Sequence, residues 1–280
     1  PPRSTPKPSS AASDVYKRQG YQHPDITNAS RPIKKSEKEK CKANGVTPVE
    51  MKVGYDGIVL ANSKKGAKLS VTRDQLYRAT AKEVWDGSKF IPNPYKKWSD
   101  IDSSLPDLNI EVMGPPPTSG TRDAYVELVQ HKACKKLGIK KKGDDGYKAR
   151  CSAVREDGGY IEGGENDNLI IQKLVGEPRR YGIFGFSFLD NNLDQLWGTA
   201  IDGVEPTFEG IASGDYPVSR GLFFYVKKEH IGMVPGLGEY VRFFASKQMI
   251  GETGATVDKG LIPLPDDEYK ALIERINKEL

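Results

Sequence analysis

Hydrophobic positions along this chain switch repeatedly between a period of two and a period near 3.6. "MKVGYDGIVLANS" (51–63) carries Val53, Tyr55, Ile58, Val59 and Leu60 and predicts the strongest strand of the first third. "RGLFFYVKK" (220–228) predicts a second strongly apolar strand. "PDITNAS" opens extended and turns helical at Ser30, which reads as an N-cap with Pro32 in the first turn and Gly45 past the end. "TRDQLYRATAKEVW" (72–85) predicts an amphipathic helix capped by Thr72, and "NIEVMG" (109–114) a strand. "ENDNLIIQKLVG" predicts a helix ending at Gly176. "RYGIFGFSF" and "WGTAIDGV" read as strands, and "TFEGIASG" as a short helix. "LGEYVRFFASKQ" and "DDEYKALIERINKEL" complete the pattern as helices. Such alternation predicts an α/β protein with a mainly parallel sheet.

One junction stands out. "GPPPTSGTRDAY" (114–125) places Ser119, Gly120 and Thr121 after three prolines and directly before a helix whose apolar side is Ala124, Tyr125, Leu128 and Val129, with Gly138 as its stop. A helix start offers free N–H donors and a partial positive charge, and two hydroxyls add donors. Gly120 lets an oxyanion approach the backbone, and Arg122 supplies a charge and a fork matched to phosphate geometry. An ordinary cap has the same sequence. "NASRPI" repeats the theme, with Ser30 and Arg31 after a strand, and two facing helix starts would enclose a tetrahedral oxyanion.

Composition narrows the classes. The 280 residues carry a net charge of +4. In residues 1–19, Arg3, Lys7, Lys17 and Arg18 stand against Asp14, so the remainder holds 38 basic and 37 acidic residues. That near-neutral body argues against a nucleic-acid binder. The first 19 residues are rich in Pro and Ser, carry no signal-peptide core, resemble translated vector sequence and are expected to lack a defined fold. No stretch approaches the roughly 20 apolar residues of a membrane span.

Catalytic signatures are missing: no G-x-S-x-G, no P-loop, no H-E-x-x-H, and no G-x-G-x-x-G after a strand. His23, His131 and His230 are scattered and no cysteine pair has zinc spacing, so no metal or cofactor is expected. Cys41, Cys134 and Cys151 read equally as three buried thiols or as a 134–151 bridge with Cys41 left over.

"PDITNASRPI", "GYDGIVLANS", "GPPPTSGTRDAY", "GENDNLIIQKLVG", "YGIFGFSFLDNN", "IDGVEPTFEGIASGDYPVSRGLFFYVKKEH" and "GLIPLPDDE" together resemble the phosphate-binding proteins of bacterial ABC importers, in consistent order from about Gly20 onward. The resemblance implies a type II periplasmic binding fold, with two α/β lobes joined by two crossover strands, "GYDGIVLANS" and "YPVSRGLFFYVK". Lobe 1 would comprise 20–61 and 222–280 and lobe 2 residues 62–221, with lobe 1 incomplete because the family's opening strand and glycine-rich helix start are not found. It implies phosphate ligands at Ser119, Gly120 and Thr121, and at the helix start of Ser30; Arg31 and Arg122, which stand beside these motifs in this chain, are the candidate charges.

Two departures qualify that site. Relatives commonly have Asp where Arg31 stands, accepting the phosphate hydrogen, and Arg where Pro115 stands. The acceptor must then come from elsewhere, and Asp25, Asp56 and Asp123 are nearest in sequence. The implied function is capture of inorganic phosphate and its delivery to an ABC permease, by a periplasmic monomer rather than an enzyme. The alternatives are a binding protein for another tetrahedral oxyanion, sulfate or molybdate, and an enzyme acting on a phosphate ester. Export would favour the Cys134–Cys151 bridge.

Overall fold

The structure is a computed structural model and describes residues 24–137 and 146–280. The first 19 residues and Gly138 lie outside the described residues. The described residues begin with β1 (Ile26–Ala29), α1 (Lys35–Ala43) and the long β2 (Pro48–Ser63). There follow β3 (Ser70–Val71), α2 (Arg73–Thr80), β4 (Glu83–Trp85), β5 (Phe90–Pro92), α3 (Trp98–Ile101) and β6 (Val112–Gly114). Next, α4 (Gly120–Tyr125), a π-helical turn (Val126–Gln130) and α5 (His131–Lys136) run on without a break. Then come α6 (Tyr147–Arg150), β7 (Tyr160–Glu162), α7 (Asp167–Gly176), β8 (Tyr181–Gly185) and α8 (Phe186–Asp190). The last stretch holds β9 (Leu196–Gly198), β10 (Ala200–Ile201), α9 (Phe208–Ser213), β11 (Ser219–Lys227), α10 (Leu237–Phe244), α11 (Lys247–Ile250) and α12 (Asp266–Glu279).

The chain divides into two compact units. Unit 1 contains the residues through Asp56 together with Arg220–Leu280, and unit 2 is Gly57–Ser219. In unit 1, β11 lies between β1 and the first half of β2, antiparallel to β1 in the register Ile26↔Val226. Val49, Met51 and Val53 are buried while Pro48, Glu50 and Lys52 are half-exposed, as a strand with one wet face requires. Ile33, Cys41, Val46 and Tyr225 form a core cluster under α1. That helix stops at Asn44, and Gly45 follows at φ 69°, a conformation that suits glycine.

In unit 2 the second half of β2 is buried on both faces from Gly57 to Ser63. It pairs antiparallel with β8 and β9, and β8 continues through parallel pairings to β6 and β7. The sheet is therefore mixed, and only its β8–β6–β7 run is parallel. Helical crossovers join β6 to β7 and β7 to β8, which makes those three strands parallel. Cys134 and Cys151 form a disulfide with Cα atoms 6.3 Å apart, packed with Tyr77, Ala81, Val84, Ala133 and Tyr147. Cys41 is a buried free thiol in unit 1.

Three element expectations are corrected. The helix from Thr72 ends at Thr80, because Glu83–Trp85 turns back on Phe90–Pro92 as a hairpin. Asp86 holds that turn by accepting from the Ser88 and Lys89 amides at 2.8 Å each. The strand at "RYGIFGFSF" gives way at Phe186 to α8. The helix expected at Ser30 begins at Lys35 instead. Pro32 drives Arg31 toward extended backbone, and the Lys34 amide finds its cap in Glu37 Oε2 at 2.8 Å.

Candidate functional site

Parallel strands β6, β7 and β8 deliver three loops to one edge of unit 2, the edge where open α/β sheets place their ligands. After β6, Gly114 is forced by its neighbour: an added Cβ would lie 2.3 Å from Tyr160 Oη. Tyr160 Oη donates to the Pro115 carbonyl at 2.8 Å, and Arg122 Nη1 donates to the same oxygen at 3.1 Å. The guanidinium carbon sits 4.5 Å from the Tyr160 ring centroid, so ring and cation hold each other. Burial pushes the Tyr160 hydroxyl up to about 12, which keeps it a neutral donor.

Ser119 caps the helix as its sequence position suggests. Its hydroxyl accepts from the Thr121 amide at 3.2 Å, and its carbonyl accepts from the Asp123 amide at 3.2 Å. Gly120 is exposed, with no heavy atom within 4 Å of an added Cβ. Among the described residues nothing accepts from its amide. An open N–H at a helix start, with two hydroxyls and a guanidinium within three residues, is equipped to hold an anion.

Side chains lace the three loops together. Thr118 Oγ1 donates to Glu165 Oε1 at 2.7 Å, joining the β6 loop to the β7 loop. The Gly163 amide donates to the Gly114 carbonyl at 2.8 Å, extending that pairing past the strand ends. Asn166 caps α7, and Asp167 Oδ2 accepts from the Gly185 amide at 3.3 Å, tying in the start of α8.

The expected residues of unit 1 are placed differently. Ser30 lies in a bend rather than at a helix start. Arg31 donates to both Glu37 oxygens at 2.8 and 2.7 Å, and this pairing holds the Glu37 carboxyl down to about 2. Asp25 Oδ1 is 2.5 Å from His230 Nδ1. Asp56 is paired with Arg220 at 3.0 Å, with both side chains largely buried. Two of the three expected acceptors are thus engaged by basic partners. Asp123 is exposed in the first turn of α4.

A family model described as a PBP superfamily domain matches residues 5–248. The chain belongs to this PBP superfamily. Protein SphX of Synechococcus elongatus is 29% identical over 257 residues, an alignment covering 90% of this chain and 66% of the relative. The phosphate-binding protein PstS of Staphylococcus haemolyticus is 28% identical, covering 91% of this chain and 70% of the relative. The chain thus spans about two thirds of the length of these curated relatives. Among solved structures, a possible phosphate binding protein from Planctomyces limnophilus superposes with a TM-score of 0.72 at 26% identity, covering 96% of this chain and 84% of that one. The likeness extends to an ABC-type phosphate transport receptor from Vibrio cholerae, at a TM-score of 0.58, 17% identity and coverage of 92% and 85%. The family and the fold class expected from the motifs are both borne out.

Around this candidate site of a PBP-superfamily chain, the structure also gathers Thr118, Tyr160 and Glu165, which sequence reasoning did not single out. The signal that reaches Tyr160 and Glu165 is positional. "GYIEGGEND" is a strand followed by a glycine pair and a capping Asn, the same strand–loop–helix grammar as the Ser119 junction.

Proposed function

We propose that this chain is a solute-binding protein for inorganic phosphate, serving the permease of an ABC importer from the periplasmic side. The observation that carries the reading is the Ser119–Thr121 helix start, with an open Gly120 amide and Arg122 fixed beside it. The staphylococcal relative is named as the phosphate-binding protein PstS and the Planctomyces limnophilus structure as a possible phosphate binding protein, which supports the choice of anion. In this reading the Gly120 and Thr121 amides, the Ser119 and Thr121 hydroxyls and the remaining N–H groups of Arg122 neutralise the anion without a metal. Ser30 enters as a donor to be tested separately. The role in this reading is capture and release rather than turnover: the site offers donors to an anion, and among the described residues around it no nucleophile is paired with a base.

Titration calorimetry of the chain with inorganic phosphate tests this. Arg122→Ala should weaken binding by about 1.5–3 kcal/mol, the worth of a hydrogen bond to a charged group. Absence of phosphate binding by the wild-type chain, or an Arg122→Ala variant that binds unchanged, would count against the assignment.

A further inference from the structure

A donor-only site does not distinguish phosphate from sulfate, because both present four oxygens in a tetrahedron. Near neutral pH phosphate retains a proton and sulfate has none. A carboxylate facing the anion therefore accepts a strong, charge-assisted O–H···O bond from phosphate and repels sulfate, which has nothing to donate. The carboxylates expected from the sequence do not supply this group. Asp25 is on His230 and Asp56 on Arg220. Asp123 is exposed, and among the described residues no hydrogen bond holds its carboxylate.

We infer that Glu165 is the specificity-determining acceptor of this site, an inference that rests on the phosphate reading above. Glu165 reaches the helix start from a different strand. It follows β7, whose neighbour β6 leads into the Ser119 loop, and the Gly163–Gly114 hydrogen bond at 2.8 Å carries the two chains side by side beyond the sheet. Thr118, immediately before the capping Ser119, donates to Glu165 Oε1 at 2.7 Å. That bond fixes the carboxylate one residue from the proposed ligands while Oε2 is left to accept. Among the described residues no basic side chain pairs with Glu165, whereas Asp25 is held by His230 and Asp56 by Arg220. The arrangement makes Thr118 a positioning residue: its hydroxyl holds Oε1 and selects the orientation in which Oε2 is free.

The test is competition calorimetry with phosphate and sulfate on the full chain, as wild type, Glu165→Gln and Thr118→Val. Glu165→Gln exchanges the acceptor for an amide and should cut the phosphate-to-sulfate affinity ratio about tenfold or more, largely by admitting sulfate. Thr118→Val keeps the charge but loosens it, and should lower the ratio by a smaller factor of about three. Circular dichroism checks that each variant is folded, and if Glu165→Gln is not, Thr118→Val decides. A wild-type preference for phosphate that survives undiminished in the folded variants overturns the Glu165 assignment and leaves the phosphate reading standing. A wild type that binds neither anion, or both equally, overturns both.

Discussion

Breaking the Cys134–Cys151 bridge tests how unit 2 is held together, and its expected cost follows from topology. The two cysteines are 17 positions apart. In the loop-closure picture, a cross-link of that span raises the free energy of the unfolded chain by about 3 kcal/mol. The native side adds to this. Both cysteines are fully buried against Tyr77, Ala81, Val84, Ala133 and Tyr147, so replacing them with Ala also leaves a small void. Cys134→Ala combined with Cys151→Ala should therefore destabilise unit 2 by about 3–5 kcal/mol, and reduction alone by about 3. Urea unfolding followed by circular dichroism, with and without reductant, measures both. A separate unfolding step of unit 1 should stay in place. Thiol titration of the unreduced protein in denaturant supplies an independent count: one reactive thiol, Cys41. Three reactive thiols, or reduction that shifts stability by less than about 1 kcal/mol, would refute the reasoning.

Two glycines six residues apart should respond in opposite ways. Gly114→Ala thrusts a methyl to 2.3 Å from Tyr160 Oη, so the Tyr160–Pro115 bond must yield, and calorimetric unfolding should show a loss of about 2 kcal/mol. Gly120→Ala meets open space and should leave stability within about 0.5 kcal/mol while weakening phosphate binding; unchanged affinity would show that the anion does not approach that amide. Glu37 predicts an acid limb. Its carboxyl is lowered from 4.5 to about 2 by Arg31, so the stabilisation is complete above 4.5 and is lost as pH falls toward 2. Arg31 is a third exposed and screened, so the amplitude should be about 1 kcal/mol at most, and Glu37→Gln should flatten that limb of the stability curve.

Where local chemistry decided the structure, the sequence was readable. The β2 run, the Thr72 and Ser119 caps, and the helices ending at Gly176 and beginning at Thr207 follow from apolar period and capping residues alone. The failures share a cause: a local signal lost to a neighbour. Ser30 has the chemistry of a cap, but Pro32 keeps the chain extended past it, and the Ile33 amide is then claimed by Tyr225 Oη at 2.8 Å. "VWDGSKFIP" carries an Asp-Gly turn signal between apolar pairs, yet the helical period before it suggested continuation. The proposed site was legible at Ser119–Arg122 because its donors are consecutive. The proposed acceptor Glu165 was not, because only the parallel pairing of β6 with β7 brings residues 118 and 165 together. Nothing in the spacing of acidic residues shows which of them already has a cation.

The two units also differ in the order in which a ribosome completes them. Unit 2 is one unbroken run of chain, whereas unit 1 is assembled from segments on either side of it. The Ile33–Tyr225 hydrogen bond closes a separation of 192 positions, and β1 finds β11 only across a similar gap. During synthesis, β1 and the first half of β2 emerge long before β11, the strand that lies between them. Unit 2 has every partner it needs as soon as Ser219 appears. Long-range closures are the slow ones in folding, so unit 1 is the late-maturing half, and its waiting strand edges are where a nascent chain of this kind is most exposed to mispairing.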